Sequence, residues 1–217
     1  MADFKSVSLA DKVFEKLEND IILGVYPRGE LLTELKLVEQ LGVSRTPIRE
    51  ALRRLEQERL IEDSGKGSVV LGITESDLED IMNIRQHIEA LAAYYATVNM
   101  TPEGLKNLRH IMDLQDFDHA KGDVEHLREA DDAFHDAICS MSKRNVIMDT
   151  LIPLHRKTRR YRKIAFENKF RAVNSLAEHH AIFDAISAAN PELARELTAT
   201  HICNAKENMI KRLQENG

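Results

Sequence analysis

Tryptophan is absent from this chain of 217 residues, aromatic residues make up 5% of it, and two cysteines and five prolines occur. So few aromatics, beside much Leu, Ala, Glu, Arg and Ile, favour helix over strand. Cys139 and Cys203 sit in no paired motif. They give no sign of a disulfide framework and suit a reducing, cytoplasmic compartment. No run approaches the ~18 apolar residues of a membrane span. The opening MADFKSVSLADKV carries an acid at position 3 and no apolar stretch, so it does not read as a signal peptide. Basic charge is also short, with 30 Lys and Arg against 36 Asp and Glu, a net −6. That acidity argues against a protein that packages nucleic acid, so any basic surface has to be local. HExxH, GxSxG and a Gly-rich phosphate loop are missing too.

What is present is apolar periodicity. A 43% hydrophobic fraction over this length supports packed cores and, as a prior, two domains. Val13, Leu17 and Ile21 recur at helical spacing up to Gly24. "GVYPRGELL" reads as a turn and a short extended piece. "TELKLVEQLG" offers Thr33 as an N-cap and Gly42 as a C-terminal cap. A third helix follows, capped by Ser44. Then come two β-prone runs around Ser64-Gly65-Lys66-Gly67, a hairpin signal. Three short helices and a hairpin predict a winged helix-turn-helix over residues 1–73. After Gly72 strand signals nearly vanish. Residues 74–217 predict an all-helical bundle of about six helices, near 75–97, 101–120, 123–142, 145–167, 174–188 and 191–215. Thr74-Glu75-Ser76-Asp77 reads as a capping box, and Pro153 falls inside the fourth helix. The fold class is therefore mostly α, with a small β wing.

The third helix carries the local charge. Residues 45–59 hold five arginines and three glutamates. Pro47 sits in its first turn, and Ile48, Leu52 and Leu55 form the inner stripe. Arg45, Arg49 and Arg53, four apart, share an outer edge. A helix of this size fits a major groove, and an arginine fork matches a phosphate or the O6/N7 edge of guanine. The plain alternative is a solvated face with ordinary ion pairs, such as Arg54 with Glu50 or Glu58.

"LGVSRTPIREALRRLEQERLI", with the "PRGELLTE" lead-in and the glycine wing tip, resembles the DNA-binding signature of GntR-type bacterial transcription regulators. That resemblance implies DNA contacts by Arg45, Thr46 and Arg49, and by Gly65 and Lys66 at the wing. The family often carries an arginine after the Glu of its lead-in. Here Leu35 stands there and Lys36 follows, so Lys36 is the candidate for that contact.

In the second domain, "HLREADDAFHDAI" places Asp131 and His135 on the apolar face of Leu127, Phe134 and Ile138, with Asp132 and Asp136 expected to point away. His179 shares a face with Ile182, Phe183 and Ile186, while His180 falls on the wet side. His201 follows Ala194 and Leu197 on a buried stripe. An ionisable group on an apolar face is costly unless paired or bound to metal. One carboxylate and three imidazoles from three helices make a candidate divalent transition-metal site. Zinc, nickel, copper and iron suit it, and the lone carboxylate also admits manganese. Core histidines held by hydrogen bonds are the alternative.

This arrangement is similar to the FadR branch of GntR regulators, whose all-helical ligand domain is of the FCD type. The family's D-x-x-x-H helix, its His before I-x-x-A-I and its His in the last helix match Asp131, His135, His179 and His201 position by position. The resemblance implies that a metal helps bind a small organic acid there. Arg85, near the stripe of Ile81, Ile84 and Ile88, is the candidate for the acid's other end, with a surface pair to Glu89 as its alternative. Arg156, Arg159, Arg160 and Arg162 crowd one helix, and any of them could enter the pocket.

Together these readings predict a non-enzymatic, operator-binding transcription regulator, with repression as its expected mode. A small carboxylate effector at the metal site would control it. One recognition helix reads few bases, so a homodimer on a pseudo-palindromic operator is expected. The broad apolar surface of 75–97, including Leu91, Ala92, Tyr94 and Tyr95, would carry the dimer. A metal-dependent hydrolase with an ancillary helix-turn-helix is the rival.

Overall fold

The structure, a computed structural model, describes residues 8–166 and 168–216. Two compact units divide the chain, Met1–Thr74 and Glu75–Gly217.

In the first unit, α1 (Leu9–Ile22) starts in a capping box. Ser8 Oγ accepts from the Asp11 backbone N–H at 3.1 Å, and Asp11 Oδ2 accepts from that of Ser8 at 3.0 Å. Thr33 caps α2 (Glu34–Leu41), which Gly42 closes at φ 65° in the left-handed region, as its place in the sequence predicts. Ser44 does precede α3 (Arg45–Gln57), but its side chain makes no capping bond. Ile48 and Leu55 are fully buried, and Leu52 packs partly against the same core as Leu17, Leu32 and Leu37. Arg54 does not join Glu50 or Glu58 in the way its helical spacing suggests. It reaches across to α1, donating to Asp11 at 2.6 Å with its guanidinium 3.9 Å above the Phe14 ring.

The hairpin is β2 (Ile61–Asp63) and β3 (Ser68–Val70). The extended piece before α2 supplies β1 (Leu31–Leu32), which pairs with the free edge of β3 in the antiparallel order β1-β3-β2. Gly67, at φ +144°, lets the chain enter β3 close beside β1. A Cβ there would stand 2.7 Å from the Leu32 carbonyl oxygen. Gly67→Ala should therefore cost the wing about 1–3 kcal/mol by steric and backbone strain. Gly65, at φ +75° with no atom within 4 Å of such a Cβ, should cost about 1 kcal/mol. Thermal unfolding of the two variants checks this. Equal stability of Gly67→Ala and the parent would contradict it.

The second unit contains, among the described residues, α4 (Glu75–Val98), α5 (Pro102–Lys121), α6 (Val124–Met141), α7 (Asn145–Phe166), α8 (Lys169–Ser187) and α9 (Pro191–Asn216). Its two longest helices, α4 and α9, pack along each other, and α5 packs on α6. The core centres on Phe134, Leu108, Met112 and Ile186. Residue 174 proves too late a start for α8. Asn168 is its cap, accepting from the backbone N–H of Phe170 and Arg171. Ala92 is buried inside the bundle, not part of an outer surface. What α4 leaves exposed is a row spaced by sevens, Ile84, Leu91 and Val98.

Candidate functional site

The bundle encloses a polar centre. α6 brings Asp131 and His135 to it one helical turn apart, and α8 and α9 bring His179 and His201. All four side chains are at most 5% exposed. His135, His179 and His201 each offer a ring nitrogen within 4.8 Å of the others'. His179 Nε2 lies 3.2 Å from His201 Nε2. Asp131 stands beside them, its carboxylate oxygens 3.6 Å from His179 Nε2 and 3.8 Å from His135 Nε2. All four residues expected at the site therefore meet.

What fixes the rings is the opposite nitrogen of each. His135 Nδ1 lies 2.7 Å from Glu89 Oε2, His179 Nδ1 2.8 Å from Gln115 Oε1, and His201 Nδ1 2.6 Å from Glu178 Oε2. Gln115 has no freedom to flip, since its amide donates to the Ala130 carbonyl at 3.0 Å. Three acceptors thus hold three Nδ1–H groups, which leaves three Nε2 lone pairs turned inward. Phe134 stacks on the His179 ring at 4.1 Å and limits its rotation.

Burial pushes His135 and His179 well below the usual imidazole pKa, so both are neutral. Burial pushes the Asp131 carboxyl up, against the pull of Arg162. Burial also works against the Glu89 carboxylate, but Arg85 and the two histidines beside it hold it well below the usual range. Glu178 opposes burial in the same way, through His201, Arg171 and Asn204, and falls to about 2.

The donor set passes a chemical test for a divalent ion. With a proton on each Nδ1, the His179 and His201 Nε2 lone pairs would face each other at 3.2 Å and repel. Metal–nitrogen bonds of about 2.0–2.1 Å place cis or tetrahedral ligand nitrogens about 2.8–3.4 Å apart, so one ion between them would turn that repulsion into attraction.

This centre borders a small cavity, lined by Asp131, His135 and His201 themselves and by Arg85, Arg162, Arg171 and Ser175. Arg85 is 1% exposed. It does pair with Glu89 at i+4, at 2.6 Å, but in the interior and not at the surface, and it also donates to Thr158 at 2.8 Å. Of the α7 arginines, Arg162 enters the cavity, while the Arg160 side chain lies outside the described residues. Asp132 does not point away. It is 8% exposed and accepts from Arg162 Nη1 at 2.5 Å and Arg128 Nη1 at 2.7 Å, because α7 crosses α6 there. His180 sits outside, paired with Asp116 at 3.0 Å and not with Asp184.

On the first unit, Arg45, Thr46, Arg49, Arg53, Gly65 and Lys66 are all exposed. Arg49, Arg53, Gly65 and Lys66 line one open cleft between α3 and the wing tip. Arg45 and Thr46 stand at the start of α3. Arg49 Nε is held by Glu34 at 2.7 Å. Lys36 is half-buried and turned onto Glu30 at 2.7 Å, off the cleft lining.

Residues 80–204 match the FCD domain, and residues 9–70 match the bacterial regulatory proteins of the gntR family. The chain belongs to the GntR family. It is similar to the transcriptional regulator McbR of Escherichia coli, 30% identical over 148 residues, 68% of this chain and 67% of that one. It is also similar to the transcriptional repressor RspR of the same organism, 25% identical over 206 residues, 94% of this chain and 90% of that one. The solved structure of E. coli McbR/YncC superposes with a TM-score of 0.80 and 25% identity, covering 98% of this chain and all of the other. This GntR protein is accordingly a transcription regulator and not an enzyme. No helix among its described residues is long and apolar enough to cross a membrane.

Sequence reasoning about this GntR regulator missed Glu89, Gln115, His155 and Glu178. His155 is 3% exposed, lying 3.1 Å from Glu89 and 2.7 Å from Asp136. A signal for it existed. Leu151, His155, Thr158 and Arg162 recur at steps of four, three and four, and all four are buried.

Proposed function

We propose that this GntR regulator is a repressor whose operator affinity is set by a small organic acid bound beside a divalent metal ion in the FCD domain. The observation that carries the reading is the inward convergence of three Nε2 lone pairs, each fixed by an acceptor on Nδ1. Asp131, His135, His179 and His201 would hold the ion. The metal is a divalent one of the zinc, nickel, iron or manganese kind. When bound it supplies a positive charge and open positions for oxygen ligands. Charge supports an anionic effector. Arg85, Arg162 and Arg171 line the cavity, and a divalent ion beside them would add positive charge that an anion can meet.

Arg45, Thr46, Arg49, Arg53, Gly65 and Lys66 would face the operator, with Lys36 joining if DNA phosphate draws it from Glu30. Repression follows the name of RspR. A gel shift with the chain's own upstream region tests DNA binding. Retardation with a footprint of two half-sites about 10 bp apart, or a multiple of that, is expected. Equal binding to unrelated DNA at the same salt would overturn the operator reading.

A homodimer fits the exposed row of Ile84, Leu91 and Val98 on α4. Residues 75–217 form their own compact unit. Expressed alone, they should sediment as a dimer at micromolar concentration. A monomer would count against assembly through this unit.

A further inference from the structure

Arg162 carries the unexplained feature of the cavity. It is 3% exposed, and its Nη1 is spent on Asp131 at 3.0 Å and Asp132 at 2.5 Å. Its Nη2 is buried with no hydrogen-bond partner. An orphaned guanidinium nitrogen in the interior is costly, and the cheapest partner for it is an anionic oxygen. The other cavity arginines lack such a donor in evidence. Arg85 has Nε on Glu89 and Nη1 on Thr158, and Arg171 Nη1 is on Glu178 at 2.9 Å.

We infer that Arg162, rather than Arg85, anchors the effector, and that the effector is a short monocarboxylic acid with an apolar tail. This rests on the metal-and-acid reading above. Arg162 contacts Asp131 through Nη1, which places its guanidinium beside the proposed ion site. One carboxylate can face both, with an oxygen toward the ion and an oxygen accepting from Nη2. Away from that corner the wall is apolar, made by Ala165, Phe166, Ile202, Ala205 and Met209. Arg171 at the far side has Nη1 on Glu178 at 2.9 Å and carries no buried orphan nitrogen, so nothing there calls for a second carboxylate. Ser175 is the one neutral polar group there, able to meet a hydroxyl on the acid. The tail is short because the cavity is narrow, closed in by Phe166, Ile202 and Met209.

The test uses the full chain loaded with zinc, with zinc measured by elemental analysis and binding by calorimetry. The probes are acetate, propionate and butyrate, with propionamide as the uncharged match and succinate as a dicarboxylate. The parent should bind at least one monocarboxylate saturably, ignore propionamide and bind succinate more weakly. Arg162→Lys keeps a cation for Asp131 and Asp132 but has no Nη2. It should keep its zinc and bind the acid about tenfold more weakly or worse. Unchanged acid binding by zinc-loaded Arg162→Lys overturns the anchor. A zinc-loaded parent that binds none of the acids, or prefers succinate, overturns the ligand class. A parent that takes up no zinc fails the metal reading itself, before any acid is added, and this inference with it. Should Arg162→Lys lose zinc, a crystal of the parent with propionate decides. A carboxylate oxygen about 3 Å from Nη2 upholds the anchor, and one beyond about 4 Å overturns it.

Discussion

His179→Ala should bind zinc more than about 100-fold more weakly than the parent, whereas His180→Ala should bind it normally. Losing an outer partner of a metal ligand costs about 10–100-fold in affinity, and losing the ligand itself costs more. His179 presents Nε2 to the shared centre, while its neighbour points outward to Asp116. The variant also loses a ring that is 1% exposed and stacked on Phe134. The bundle should therefore lose a further ~2–4 kcal/mol through the void. The winged unit keeps a separate core around Leu17, Leu32 and Leu55 and should stay folded. His179→Gln fills more of the space. It separates loss of metal from loss of fold if the alanine variant fails to accumulate. Competition against a chelating dye reads the affinity, and comparable affinities for the parent and His179→Ala would end the assignment.

Acidity should act at lower pH than the ordinary imidazole value of about 6.5 suggests. Burial lowers His135 and His179 in the folded chain, so protons compete for their Nε2 atoms only in more acidic solution. Protonation of these two ligands is therefore not what would weaken metal binding near pH 6. The unfolded chain takes up these protons first, and stability falls wherever the unfolded state binds more protons. The contribution is present above about pH 6.5 and is lost as pH drops toward the lowered native values.

Arg49→Ala should cost about 1–3 kcal/mol at each half-site if Arg49 reads a base, and about twice that for a dimer on both half-sites. Arg49 is exposed and lines the cleft beside the wing. Glu34 holds only its Nε, so the outward fork is not spent on that pair. If Arg49 instead holds a phosphate, affinity should fall alike for all sequences and the salt slope should shrink by about 1 per half-site. Fluorescence anisotropy with specific and scrambled DNA over a range of salt separates these outcomes. A variant that binds both as the parent does would remove Arg49 from the interface.

The winged unit and the six helices of the bundle were legible because their signals are local. Thr33 and Gly42 mark the ends of α2 a few residues apart, and Asp131 and His135 share a face by helical spacing alone. The partners were not legible, because each comes from a distant helix. Gln115 is 64 residues from His179, and Glu89 is 66 from His155. Reading charged residues as wet is sound for one helix against water. It fails for Asp132, because α7 lays Arg162 across it. Ser44 shows the reverse case, where the residue type and position were right and the bond was not made.

Elemental analysis of the purified full chain, after supplementation with divalent metals, tests the central claim most directly. The account predicts about one transition-metal ion per chain in the parent and in His180→Ala, and almost none in His179→Ala. No metal in the parent, or equal loss from both histidine variants, would contradict it.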